Sequence, residues 1–221
     1  MSSTFTDAAF QKFQAHADKA LAGPMEQYMK NHFPFLGIKS PLRKELSKQL
    51  FREQGISDNW EEVVLQLWEL PEREYQYLAL DVVGKVKKQL TDSHIRLLEE
   101  LVTTKSWWDT VDFLASHMAG TILRRHPERI EPITSAWMES QNMWLQRTAI
   151  LFQLSYKQET NKELLFTYIR ACAASKEFFI QKAIGWSLRE YAKTNPEAVR
   201  DFVEKTPLAS LSKREALKHL A

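Results

Sequence analysis

The chain has 221 residues, 44% of them apolar and 26% charged, with a net charge of +2. This is an ordinary composition for a globular protein, long enough for one large domain or a repeat array, and the charge alone does not announce nucleic acid. The one cysteine, Cys172, excludes an intrachain disulfide framework or a thiolate metal cluster and suits a reducing compartment. The stretch from Met1 to Phe13 has no apolar core of a signal peptide, and no apolar run approaches the ~20 residues of a membrane span. A cytoplasmic protein is expected.

Glycines are few, apolar residues recur three and four apart, and no Asn-Gly or Asp-Gly hairpin turn occurs. The pattern predicts an all-α fold. In chain order, Phe5, Ala9, Phe13 and Ala17 place a first helix over 4–20, broken by Gly23-Pro24. A second runs from Pro24 to Asn31, followed by the apolar connection Phe33–Ile38. Ser40-Pro41 opens a helix that ends at Gly55, by the usual roles of Ser, Pro and Gly at helix ends. Ser57 or Asp58 caps a helix through Leu70, Pro71 starts one through about Lys88, and Thr91 or Asp92 caps one ending near Thr103. Lys105 begins the next. Further helices are predicted near 132–140, 142–157, 160–174, 176–194, 196–205 and 210–220.

The second helices repeat. Tyr75–Ala79, Trp108–Asp112, Leu145–Ala149 and Ile180–Ile184 share one frame, with Lys213–Leu217 a weaker fifth copy, at intervals of about 33 to 37 residues. Gln recurs at the second position, as Gln76, Gln146 and Gln181. Stacked helix pairs of this length build a HEAT-like solenoid as a single domain over 1–221, with one curved face left for binding.

Within that frame Trp108 and Asp112 lie four apart, on one helix face, with Lys105 three before Trp108. A core would not take the unpaired carboxylate, which costs several kcal/mol when buried. Water would not favour the indole, whose exposed ~200 Å² forgoes roughly 5 kcal/mol at about 25 cal/mol per Å². The pair fits a surface covered by a ligand. Lys182, Trp186, Arg189 and Lys193 form a second stripe, basic with one indole in it, and the third copy adds Arg147. Cations interleaved with aromatics attract a phosphate backbone. The plainer readings are that Trp60, Trp68, Trp137 and Trp144 pack in the core, that Trp107 turns inward, and that the lysine stripe is simply solvated. For Trp108 and Trp186 both readings stand. The six histidines show no metal-ligand spacing, and no Gly-rich phosphate loop or nucleophile motif occurs, so neither metal nor cofactor is expected.

These residues carry a resemblance. Lys105-Ser106-Trp107-Trp108-Asp109 with Asp112, Trp144-Leu145-Gln146-Arg147, Phe178 to Trp186 and Leu188 to Lys193 resemble the AlkD family of alkylpurine DNA glycosylases. Tyr28 to Phe33 and Leu70 to Glu74 are similar too, so the likeness covers almost the whole chain. It implies a HEAT-like solenoid that holds duplex DNA in a concave groove. It also implies hydrolysis of the N-glycosidic bond of cationic purines, chiefly 3-methyladenine and 7-methylguanine, leaving an abasic site without a tight base-flipping pocket. Residue by residue, Asp112 becomes the catalytic carboxylate, Trp108 and Trp186 the indoles at the lesion, Arg147 a DNA-contacting arginine and Tyr28 an aromatic lining the groove. A somewhat longer tail beyond Ala221 is implied as well.

The chemistry agrees with such residues. An N-alkylated purine is already a cationic leaving group, so no general acid is needed. Positive charge grows on the sugar, where two indole faces and one carboxylate stabilise it. The expected enzyme is monofunctional and monomeric, with water as nucleophile and no lysine Schiff base. Two rivals predict different behaviour. A non-catalytic DNA-binding relative would keep the groove without the chemistry. A protein-interaction scaffold would have an apolar or acidic groove and no salt-sensitive DNA binding.

Overall fold

In a computed structural model the structure describes residues 4–220, and these residues are helical with turns and connections between. What was read from Met1 to Ser3 and from the end at Ala221 lies outside the described residues. The all-α, helical-repeat reading holds. By contacts the chain forms two compact units, one ending at Gln89 and the other beginning at Leu90.

The first unit contains α1 (Phe5–Gln14), α2 (Lys19–Tyr28), α3 (Ser40–Gln54), α4 (Trp60–Glu69) and α5 (Arg73–Lys85). The first helix is shorter than its apolar spacing predicts. Asp18 accepts hydrogen bonds from the amides of Ala20 and Leu21 and starts α2 there, five residues before the predicted break. Pro24 therefore lies inside α2, a helix with no buried residue, where a proline costs least in packing. Gly55 ends α3 with φ +70°, as expected.

Two carboxylates hold the apolar connection from Phe33 to Ile38, Glu26 accepting from the Phe35 amide at 3.2 Å and Glu74 doing the larger share. Glu74, buried in the first turn of α5, accepts hydrogen bonds from the amides of Leu36, Gly37 and Ile38, each at 3.0 Å. Those amides have no helix partner, and a buried unpaired amide costs about 1–3 kcal/mol. Gly37 is required twice over. Its φ is +86°, and a Cβ there would meet the Asp18 carbonyl oxygen at 2.0 Å.

The second unit begins with a short 3-10 turn, Asp92–His94, and α6 (Ile95–Thr103). After a loop come α7 (Trp108–Phe113), a π turn (Leu114–Ala119) and α8 (Gly120–Arg125), which run on as one irregular helix. Then follow α9 (Ile130–Glu139), α10 (Met143–Leu151), α11 (Lys162–Cys172), α12 (Phe178–Ala192), α13 (Pro196–Lys205) and α14 (Ser210–Leu217). The helix predicted to reach residue 157 stops at Leu151. The Gln153 side-chain oxygen takes the Asn161 amide at 2.7 Å and secures the reversal into α11. Short α10 is the hub of this unit, packing against α6, α7, the π turn, α9, α11 and α12.

The recurring glutamine now has a physical reason. Each reaches back to a carbonyl at or just beyond the end of the preceding helix, where the helix itself offers no partner. The Gln76 amide donates to the Leu70 carbonyl at 2.7 Å, Gln146 to Met138 at 3.1 Å and Gln181 to Ser175 at 3.0 Å. The repeat signal is thus a joint between the two helices of a pair.

The π turn leads into Gly120, which lies against the residue that ends α10. A Cβ on Gly120 would meet the Phe152 carbonyl oxygen at 2.3 Å, and the Tyr156 hydroxyl donates to the Gly120 carbonyl at 2.7 Å. Ser116 donates to the Asp112 carbonyl at 2.7 Å within the same turn.

Glu74→Gln exchanges an acceptor oxygen for an N–H facing backbone donors. It is expected to lower stability by about 1–3 kcal/mol, read as a fall of several degrees in the thermal midpoint by circular dichroism. An unchanged midpoint would remove Glu74 from this role.

Candidate active site

The candidate site is built from α7, α10 and α12, the second helices of successive pairs in the second unit. A cleft of about 290 Å³ is lined by Trp108, Asp112, Arg147, Phe178, Phe179, Lys182, Trp186 and Arg189. Trp108 and Asp112 come from α7, one turn apart on one face. Arg147 comes from α10, and the rest from α12.

Asp112 is held at both oxygens. Arg147 Nε donates to Oδ1 at 2.7 Å and Nη2 to Oδ2 at 2.9 Å, a planar fork on a planar carboxylate. The third nitrogen, Nη1, donates to the Phe179 carbonyl oxygen. Burial pushes the Asp112 carboxyl above the ordinary carboxylate range. The Arg147 hydrogen bonds and charge act in the opposite direction without cancelling it, and Asp109 adds to the rise.

The position of Arg147 changes its expected role. Its side chain is 4% exposed, and its guanidinium is committed to Asp112 and to the α12 backbone. It holds the carboxylate, so the arginine that the resemblance implied as a DNA contact has its Nε, Nη1 and Nη2 all engaged within the protein.

Lys105 also departs from the expected geometry. The helix starts at Trp108, with Trp107 as its extended N-terminal flank, so Lys105 lies in the preceding loop. Its φ of +45° takes it out of helical register, and the three-residue stripe with Trp108 does not form. Trp107 turns inward, as read, though it stays half-buried. It packs edge-on against Phe179, ring centroids 4.8 Å apart, and against Trp144 at 5.9 Å. Trp144 in turn lies 5.0 Å from Phe179, so this half-buried aromatic layer braces the N-terminus of α12. Trp60, Trp68 and Trp137 are buried, as read from the sequence.

The basic stripe is real for three of its four members. Lys182, Trp186 and Arg189 share the cleft. Lys193 is about 16 Å further along the axis from Lys182, at about 1.5 Å per residue. It lines a separate cavity of about 230 Å³ beside Tyr191 and Lys157, and pairs with Glu190 at 2.6 Å. Tyr28 belongs to the first unit, where it ends α2 with 71% of its surface exposed.

Three residues at or beside the cleft carry no role from the sequence alone: Phe178 and Phe179, which line it, and Glu215, which does not. Phe178 is 57% exposed and stands edge-on to Phe179 at 5.3 Å. Adjacent residues on a helix point about 100° apart, so a Phe-Phe pair at the start of α12 cannot bury both rings in one core. That spacing was the available signal. Glu215 of α14 lies behind two of the lining residues, its carboxylate meeting Lys182 at 3.0 Å and Arg189 at 2.6 Å.

Among the described residues no cluster of three or more His, Cys, Asp or Glu could hold a metal ion, and no helix is long and apolar enough to cross a membrane. The arrangement offers one oriented carboxylate, two indole faces, an exposed phenyl ring and two cations around an open cleft. That set suits a cationic group held beside an anionic backbone.

Comparison with known proteins shows the family. A solved structure described as "Predicted DNA alkylation repair enzyme from Enterococcus faecalis" has a TM-score of 0.86 and 35% identity, covering 93% of this chain and 97% of that one. No curated protein matches the chain. The family described as DNA alkylation repair enzyme matches residues 9–220, across both compact units. The chain therefore belongs to the DNA alkylation repair enzyme family.

Proposed function

We propose that the protein is a DNA glycosylase that hydrolyses the N-glycosidic bond of cationic N-alkylated purines, such as 3-methyladenine and 7-methylguanine, in duplex DNA. The observation that carries this reading is Asp112, gripped at both oxygens by Arg147 and placed with Trp108 and Trp186 around one open cleft.

The chemistry follows from charge. Alkylation gives the purine a formal positive charge, so the base leaves with the bonding electron pair and becomes neutral. Positive charge then develops on the sugar. Asp112, fixed before the reaction by Arg147, stabilises that charge without having to reorganise. The indole faces of Trp108 and Trp186 add about 0.5–2 kcal/mol each toward a nearby cation. Water attacks the sugar carbon, and the carboxylate orients it or takes its proton. No general acid is needed, and neutral lesions gain little. Lys182 and Arg189 supply positive charge for the backbone, and Phe178 offers a ring edge or face at the rim.

Asp112 and substrate charge are linked. A cation in the cleft favours the ionised carboxylate, and ionised Asp112 favours the cation to the same extent.

Release of 7-methylguanine from duplex DNA tests the reading. Asp112→Asn is expected to reduce single-turnover release by at least about 100-fold. Release at the wild-type rate would overturn the assignment. Arg147→Lys keeps the charge and loses the fork. It is expected to lower kcat by about ten- to hundredfold, equivalent to one charge-assisted hydrogen bond of about 1.5–3 kcal/mol. A change confined to DNA affinity would instead return Arg147 to backbone contact.

The pH profile has a defined sign. Free-enzyme Asp112 ionises above the ordinary carboxylate range, and activity needs the ionised form. As pH falls, kcat/KM is expected to drop first, at a pH above the usual carboxylate value. The decline in kcat is expected at lower pH, because the bound cation pulls the carboxyl down. Identical acid limbs for a cationic lesion would contradict the linkage.

A further inference from the structure

Glu215 lies outside the residues that line the cleft, yet it pairs with the two cations that do. Gly185 lies between Lys182 and Arg189 in α12. A Cβ on Gly185 would meet Glu215 Cβ at 2.4 Å and the Ser212 carbonyl oxygen at 3.0 Å. Only glycine lets α14 approach this closely, and Ser212 locks the contact by donating to the Gln181 carbonyl at 2.9 Å. The approach delivers the Glu215 carboxylate between two cations seven residues apart. One oxygen takes Lys182 Nζ at 3.0 Å, and the other takes Arg189 Nη1 at 2.6 Å.

Lys182 and Arg189 line the cleft, and Glu215 does not. An ammonium has three donors and a guanidinium five, so each cation can face the cleft while bound to Glu215 behind it. The three groups together carry a charge of +1 where the cations alone would carry +2. The same neighbours hold the Glu215 carboxyl below its ordinary range, so it stays ionised at neutral pH.

We propose that Glu215 is a resident anion that takes the place of one DNA phosphate charge at Lys182 and Arg189, limiting the grip of the cleft on undamaged duplex. It is a specificity-determining residue acting through two DNA-facing cations. Attraction of Asp112 for a cationic base is lesion-specific, whereas attraction of lysine and arginine for phosphate is not. Weakening the second favours search and release among undamaged sequence. The inference rests on the proposal that this cleft takes DNA.

The test is the salt dependence of binding to an undamaged duplex oligonucleotide, where no chemistry occurs. Each neutralised phosphate contributes about −0.9 to the slope of log Kobs against log salt. Glu215→Gln is expected to steepen the slope by about one and to tighten binding about eightfold at 0.1 M salt. Glu215→Asp, which keeps the charge, is expected to retain the wild-type slope. Weaker binding or an unchanged slope for Glu215→Gln would overturn the inference, as would a steeper slope for Glu215→Asp. Lys182→Gln leaves Arg189 and Glu215 as a neutral pair and is expected to flatten the slope by about one. An unchanged slope there overturns the inference even if Glu215→Gln does not fold. Wild-type protein without salt-sensitive duplex binding would overturn the DNA reading itself, whereas wild-type binding with unresponsive variants would overturn the role of Glu215 alone.

Discussion

The ion pair between Asp112 and Arg147 is the constraint on which the second unit's cleft depends. It joins three helices from successive pairs: the carboxylate is on α7, the guanidinium on α10, and the remaining donor reaches the backbone of α12. A buried pair of this kind gives weak net stability, because removing both charges from water offsets much of their attraction. Its value here is geometric. With both oxygens taken by a planar fork, the carboxylate has one orientation, and its position relative to the indoles is set by helix packing. The raised Asp112 carboxyl reflects the same compromise, since burial disfavours the charge that the arginine only partly restores.

Much of this was legible in the chain. The period of three and four gave the helices. The interval between copies gave the pairs, and the repeated glutamine marked a joint whose reason, a side-chain amide reaching orphan carbonyls, became visible only in the structure. Spacing on single helices placed Trp108 with Asp112, and Lys182 with Trp186 and Arg189, because four and seven residues close on one face. The likeness to alkylpurine glycosylases led to the family that the comparison shows.

What spacing could not give lies between helices or at their ends. Arg147 and Glu215 are both charged residues on second helices, yet one faces a carboxylate and the other faces two cations. That difference depends on which neighbour each meets, 35 residues away for Arg147 and 26 for Arg189 with Glu215. Lys105 fell out of register because a left-handed residue precedes α7, and its type carries no sign of that. Asp18 likewise overrode the apolar spacing that extended the first helix, since a side-chain cap fixes a helix start more locally than a hydrophobic stripe does.

The π turn between Phe113 and Gly120 carries a separate consequence. Such a turn amounts to one residue more than an α-helix would use, lodged within an otherwise continuous rod. The wider turn takes up the extra residue locally, so the residues after it keep the face that a helix one residue shorter would give them. Removing one residue within 114–119 would close the turn into a regular helix and leave Gly120 against the Phe152 carbonyl. Residue count in this helix is therefore free to change by one inside the turn, while the glycine that follows it is not free to change.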